Sequence, residues 1–371
     1  RHVIKMAEEM PGANQADDPA FPDGFFDDGV HDTLRCSGGN RHSCAEGYAA
    51  ACNLPIAIFV APTLISMSGL KPREHTVMTM TIRQVGPCFA GEVSGIDLTK
   101  TPSGEDAAAV HAGMDEYAVL IFRDQHLDDD QQMAFTQALG PIELASSNSL
   151  RAVNEYRIPE TFADVSNLDK DQKPFARDDR RRLFAIGNRL WHSDSSFKTT
   201  PAKYSILNAR SIPSKGGNTE FADMRAAYDA LDDETKAAVE GLVCEHSQIF
   251  SRQQLGFTDF TDEERERFAP VRQTMVRTHP VTGRTSLYLA SHAGAIIGWP
   301  VPEARAFLRD LVEHATQREF VHKHEWRIGD LVMWDNRQTM HRARPFPAEE
   351  PRDMRRTTLA GDGPTAEQAA A

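Results

Sequence analysis

GDLVMWDNRQTMHRARPF, residues 329–346, sets an apolar run from Leu331 to Trp334 against a polar Asp335-Asn336-Arg337 turn and a second segment carrying His341. Consecutive apolar positions ending at a polar turn describe a strand, and a second strand follows the turn. The second strand carries its histidine inward. Other short strands are expected in TIRQVGPCFAGEVSGIDL (81–98), AVLIFRDQ (118–125) and MRRTTLAG (354–361). Helices are expected in LDDDQQMAFTQALG, where Asp128 to Asp130 crowd the start and Gly140 ends it, and in FADMRAAYDAL with Asp223 as N-cap. A third helix, PEARAFLRDLVEHATQ, enters on Pro302 and carries a stripe of Phe307, Leu308, Leu311 and Val312. Strands interspersed with a few covering helices predict an α+β protein built on a β-sandwich or barrel.

Upstream, LWHSDSSF (190–197) places His192 and Asp194 two positions apart. In an extended segment such residues share a face, so an imidazole and a carboxylate converge. Two ligands alone do not make a metal site. Two histidines and one carboxylate on one face of an octahedron hold a catalytic iron while leaving positions open. The third ligand is therefore expected on another strand, and His341 is the candidate. The HKH pair, His322 and His324, has suggestive spacing but is read as surface, being flanked by Lys323 and Glu325. Beyond His341 follow Arg342, Arg344, Arg352, Arg355 and Arg356. A guanidinium matches a carboxylate with two parallel hydrogen bonds, which suits an anionic co-substrate beside a metal. On a strand, Arg352, Met354 and Arg356 share one face and Arg355 takes the other.

The chain has 371 residues and a formal net charge of -13, which argues against a broad basic surface for nucleic acid and leaves room for a local cationic pocket. Five cysteines, Cys36, Cys44, Cys52, Cys88 and Cys244, show no CxxC spacing and point to a reducing cytoplasm. The run LPIAIFVAPTLI (54–65) is too short for a membrane span. A homo-oligomer acting on a small-molecule carboxylate, with no nucleic-acid or membrane partner, is the expectation. Residues 1–77, rich in Asp, Gly and Pro, read as a poorly ordered extension: either sequence upstream of a start near Met78 or Met80, or a regulatory arm. Residues 78–361 read as the catalytic domain and 362–371 as a disordered tail. The run RDDRRRL (177–183) reads as a solvated face or mobile loop, with a lid as the alternative.

Taken together, GNRLWHSDSSF, PAKYSILNARSIPSKGGNTEFADMRAAYDAL, EHATQREF, GDLVMWDNRQTMHRARPF and RRTTL resemble the iron(II)- and 2-oxoglutarate-dependent dioxygenases of the taurine dioxygenase group. Within it the chain is most similar to the 2,4-dichlorophenoxyacetate dioxygenases and their alpha-type relatives. HxD alone is a weak signal; followed by GGNTEF and WDNRxxxHR it is strong. The resemblance implies a double-stranded β-helix, or jelly roll, with flanking helices. It implies His192, Asp194 and His341 as Fe(II) ligands, and Thr219 and Arg352 as contacts to 2-oxoglutarate, with O2 as the other co-substrate. By the same resemblance Arg356 faces the acidic group of the substrate and Asn188 lines its pocket. Trp191 and Trp334 are expected in the barrel wall. The implied reaction hydroxylates the carbon next to the ether oxygen of a phenoxyacetate, giving a phenol, glyoxylate, succinate and CO2. A taurine or alkylsulfonate dioxygenase or an alkylsulfatase is the alternative within the group, and a cupin-like binding protein without catalysis is the alternative outside it.

Overall fold

The computed structural model describes residues 80–144 and 156–368. Seven strands form the larger sheet, in the order Thr81–Gln84, Gly91–Ser94, Val119–Phe122, Leu331–Asp335, Tyr204–Ser211, Asp353–Thr358, Ala163–Asp164. All its pairings are antiparallel except that of Gly91–Ser94 with Val119–Phe122. A three-stranded antiparallel sheet, Val321–His324, Thr219–Asp223 and Thr339–Ala343, carries the second segment of the opening motif. Leu331–Asp335 and Thr339–Ala343 thus leave the Asp335-Asn336-Arg337 turn into different sheets, so the turn links the two.

Alternation along the central strands explains their unbroken apolar character. Leu120, Phe122, Tyr204, Ile206, Leu331 and Met333 pack outward against helices Gly104–Tyr117 and Asp129–Leu139. Their neighbours Val119, Ile121, Leu207, Val332 and Trp334 point inward and meet Phe221 of the smaller sheet. On the far side of the smaller sheet, Ala222 and Met340 pack with Leu308 and Leu311 of helix Val301–Ala315. With both faces of both sheets covered, period-two alternation changes which core a residue joins rather than whether it is buried.

The helix signals hold as read. Asp128 caps Asp129–Leu139 by accepting from the Gln131 amide, and Asp223 caps Met224–Asp229. Helix Gly104–Tyr117, with a Ser103/Asp106 capping box, was not anticipated. Two readings are corrected, and the surface run at 177–183 gains an element. The HKH pair lies on a strand; His324 is fully buried because Asp330 offers it a carboxylate at 3.2 Å. The run at 177–183 feeds a short helix, Arg180–Ala185, pinned by Arg180 pairing with Glu264 and Asp259. Residues 362–368 are tied down: Asp362 pairs with Arg337, and Thr365 and Gln368 accept from the amides of Thr274 and Arg272. The expected extension at 1–77 lies outside the described residues. Among those described, no helix is long and apolar enough to cross a membrane.

Candidate active site

His192 and His341 form an antiparallel bridge, each amide donating to the other's carbonyl at 3.0 and 2.8 Å. Paired residues of a bridge put their side chains on the same side, and the two rings lie 4.2 Å apart between centroids. Asp194 begins the turn that follows, with one carboxylate oxygen 4.0 Å from His192 Nε2 and the other 3.7 Å from His341 Nε2. One ligand atom from each of the three residues falls within 4.8 Å of the others, and all three residues are buried. The sequence-predicted ligands are therefore brought together. Their donor set, two imidazoles and one carboxylate, is the facial arrangement that suits non-haem iron(II).

The surroundings prepare these donors. His192 Nδ1 lies 2.7 Å from the Leu190 carbonyl, which can only accept, so the ring carries its proton there and Nε2 offers a lone pair. Burial holds the His192 ring below its usual range and pushes His341 down to about 3, keeping both imidazoles neutral. Burial opposes ionisation of Asp194, but the Arg356 guanidinium beside it, helped by the Ser205 hydroxyl, outweighs that and holds the carboxyl well below the carboxylate range. Asp194 Oδ2 accepts from Ser205 Oγ at 2.7 Å, and Ser205 Oγ in turn accepts from Asn336 Nδ2 at 3.0 Å. Asn336 Oδ1 also takes the Asp194 amide and Trp334 Nε1. The Asp-Asn-Arg turn thereby orients the acidic ligand as well as delivering His341.

One cavity connects the cluster to the expected co-substrate residues: it is lined by His192, His341, Trp334, Thr219, Arg352 and Arg356, with Asn188 at its side. Gly216 and Gly217 both adopt positive φ, and a Cβ on Gly216 would stand 2.3 Å from the Pro345 carbonyl, so glycine is required where the chain turns into Thr219. Thr219 Oγ accepts from Trp326 Nε1 at 3.0 Å, leaving its own proton for a ligand. Arg352 is buried, its Nε has no partner, and its only side-chain hydrogen bond among the described residues is to the Val165 carbonyl at 3.3 Å. Burial pushes its guanidinium down to about 10. Arg355 points the other way, to Asp129, as strand alternation requires. Arg356 reaches the site but donates to Asp194 Oδ1 at 2.5 Å, so it is engaged with a ligand residue rather than facing the cavity unpaired. Trp191 packs away from the site, with the Arg342 guanidinium 4.5 Å over its ring. Ser205 and Trp326 were missed from the sequence; a serine between Tyr204 and Ile206 in the strand YSILNARS was the available signal for the first.

Comparison with known proteins follows the same span. The family described as "Taurine catabolism dioxygenase TauD, TfdA family" matches residues 81–358. The chain is 43% identical over 285 residues to the alpha-ketoglutarate-dependent 2,4-dichlorophenoxyacetate dioxygenase of Cupriavidus pinatubonensis, covering 77% of this chain and 99% of that protein. It is 36% identical to the (S)-phenoxypropionate/alpha-ketoglutarate-dioxygenase of Delftia acidovorans, over 76% of this chain and 96% of the relative. Among solved structures, that of AAD-2 in complex with Mn(II) and N-oxalylglycine superposes with a TM-score of 0.75 at 57% identity, covering 78% of this chain and all of the other. The matched span runs from the first described strand to the last and includes every residue of the buried His-Asp-His cluster, so the chain belongs to the taurine catabolism dioxygenase TauD, TfdA family.

Proposed function

We propose that this protein is an iron(II)- and 2-oxoglutarate-dependent dioxygenase, built on a double-stranded β-helix, that hydroxylates the carbon adjoining the ether oxygen of an aryloxyacetate-type carboxylate. The observation that carries the reading is Arg352, a buried cation without an acid partner among the described residues, on the same cavity as the His-Asp-His cluster. The two relatives named for phenoxyacetate and phenoxypropionate substrates support the substrate class.

His192, Asp194 and His341 hold the metal through two neutral imidazoles and one oriented carboxylate. Bound iron(II) and 2-oxoglutarate supply the oxidising chemistry, with dioxygen consumed and the keto acid leaving as succinate and CO2. Arg352 takes the far carboxylate of 2-oxoglutarate, and Thr219 donates its free hydroxyl proton to it. Arg356 is held in place by Asp194, and its Nε, buried without a partner, is available to the acidic group of the substrate. Asn188, which lines the cavity, helps set the aromatic end. These contacts fix which carbon is presented, and a displacement of about 1 Å costs on the order of a hundredfold in rate. Hydroxylation next to the ether oxygen gives a hemiacetal; transfer of its hydroxyl proton to the ether oxygen breaks the carbon–oxygen bond and releases a phenol and glyoxylate.

Succinate release in the presence of Fe(II) and 2-oxoglutarate, measured against phenoxyacetates, cinnamates, taurine and alkyl sulfates, tests the proposal. The expected outcome is equimolar succinate and phenol with a phenoxyacetate, lost in His192→Ala and Asp194→Ala. Coupled turnover confined to taurine or alkyl sulfates overturns the substrate class.

A further inference from the structure

A second cavity adjoins the first along a common wall that includes Asp164–Ser166, Asn188, His192 and Arg356, but reaches Asp194, His292 and Arg252 instead of Thr219, Trp334 and Arg352. Arg252, on helix Gln248–Gln253, is only 4% exposed. Its guanidinium lies 4.4 Å over the Phe184 ring, and a Cβ on Gly187 would stand 2.5 Å from its Cζ, so the group is wedged between an aromatic ring and bare backbone. Nη1 donates to Ser251 Oγ at 2.9 Å and Nη2 to Asn188 Oδ1 at 3.4 Å, while Nε is buried without a partner. Its hydrogen-bond acceptors are thus uncharged, and burial pushes the guanidinium down to about 10.

The other buried arginines of this fold provide the comparison. Arg225 is paired with Asp223 and Arg337 with Asp335, each through two nitrogens. Only Arg252 and Arg352 among the buried arginines have no carboxylate within ion-pair distance in the described residues. An uncompensated buried cation is costly, and a structural role does not require one. Arg352 is already accounted for by a co-substrate anion, which leaves Arg252 on the adjoining cavity as a second such position. We propose that Arg252 is a specificity-determining residue that receives the substrate carboxylate, with Arg356 shared between that carboxylate and Asp194. The inference rests on the aryloxyacetate reading above. Two adjoining cavities that each reach a different arginine give the two organic anions separate seats, so neither competes for the other's.

The test compares kcat/KM for phenoxyacetate with that for phenoxyacetamide, its neutral counterpart of nearly the same shape, in the Fe(II)- and 2-oxoglutarate-loaded enzyme. In Arg252→Gln the preference for the acid is expected to fall roughly thirtyfold or more, the scale for losing one partner of a desolvated charge pair. The KM for 2-oxoglutarate, read in the same assays, separates this from a general disturbance. Arg252→Lys recovers part of the preference. Gly187→Ala, which displaces the guanidinium but keeps its charge, lowers it, and this variant carries the test if Arg252→Gln does not fold. An acid preference unchanged in Arg252→Gln or Gly187→Ala, or equal losses for acid and amide, overturns the inference alone. Wild-type enzyme that releases no succinate with phenoxyacetate overturns the substrate reading as well, so the two failures are distinct.

Discussion

Ser205→Ala isolates one link in the support of the metal ligands. The serine hydroxyl donates to Asp194 Oδ2 at 2.7 Å and accepts from Asn336 Nδ2 at 3.0 Å, and Ser205 is fully buried, so water cannot replace it without rearrangement. A hydrogen bond to a charged group contributes roughly 1.5–3 kcal/mol. With about 1.4 kcal/mol per factor of ten, the loss corresponds to roughly a ten- to hundredfold change in affinity. Removing a partner that orients a metal ligand costs a similar 10- to 100-fold, approximately. The assay is titration of metal-free protein with Mn(II), followed by the paramagnetic resonance of the free ion at constant pH. Thermal unfolding of the same sample separates weaker binding from a destabilised fold. A folded Ser205→Ala protein whose Mn(II) affinity stays within about twofold of the parent would refute the idea that this chain of hydrogen bonds sets the carboxylate, leaving Arg356 to orient it alone.

Two further outcomes are expected. Arg352→Gln raises the KM for 2-oxoglutarate on the order of thirtyfold or more, while its melting temperature does not fall, because the guanidinium it removes has no acid partner to lose; steady-state kinetics and calorimetry check both. His246 is fully buried, neither ring nitrogen has a hydrogen-bond partner among the described residues, and burial pushes it down to about 3. An unfolded chain takes up this proton below about pH 6.5 and the folded one does not, so stability is lost as pH falls across that window, by about 2 kcal/mol between pH 7 and 5. Urea titrations at the two pH values are expected to show that His246→Phe loses about that much less than the parent; equal losses would mean His246 titrates normally in the fold.

Much of the site was legible because its elements carry their signals locally. The apolar run before Asp335 and the return strand bearing His341 reflect burial on both faces, and the capping aspartates 128 and 223 mark helix starts. What escaped the sequence depends on distant partners. Arg252 sits in QIFSRQ, an ordinary amphipathic turn, and only packing against Phe184 and Gly187 reveals its isolation. His324 looks exposed beside Lys323 and Glu325 until Asp330 is brought against it. Helix Gly104–Tyr117 was obscured by its glycines at 104 and 113; at Gly113 a Cβ would stand 2.5 Å from Ile82, so close packing on the sheet retains a residue that helix propensity disfavours. The tail at 362–368 gives no periodic signal because side-chain caps on strand amides, rather than an apolar face, hold it.

The pairing of Arg356 with Asp194 has a thermodynamic consequence. Arginines outnumber carboxylates along the two cavities at the ligand cluster, Arg252, Arg352 and Arg356 among them against Asp164 and Asp194, inside a chain whose formal net charge is -13. Any divalent ion seated there deepens this positive potential well, and every incoming anion relieves it. Metal, keto acid and acidic substrate are therefore linked: each raises the affinity of those of opposite sign, by reciprocal amounts. Added salt weakens that mutual reinforcement at the exposed mouth more than at the dry interior, where screening is feeble.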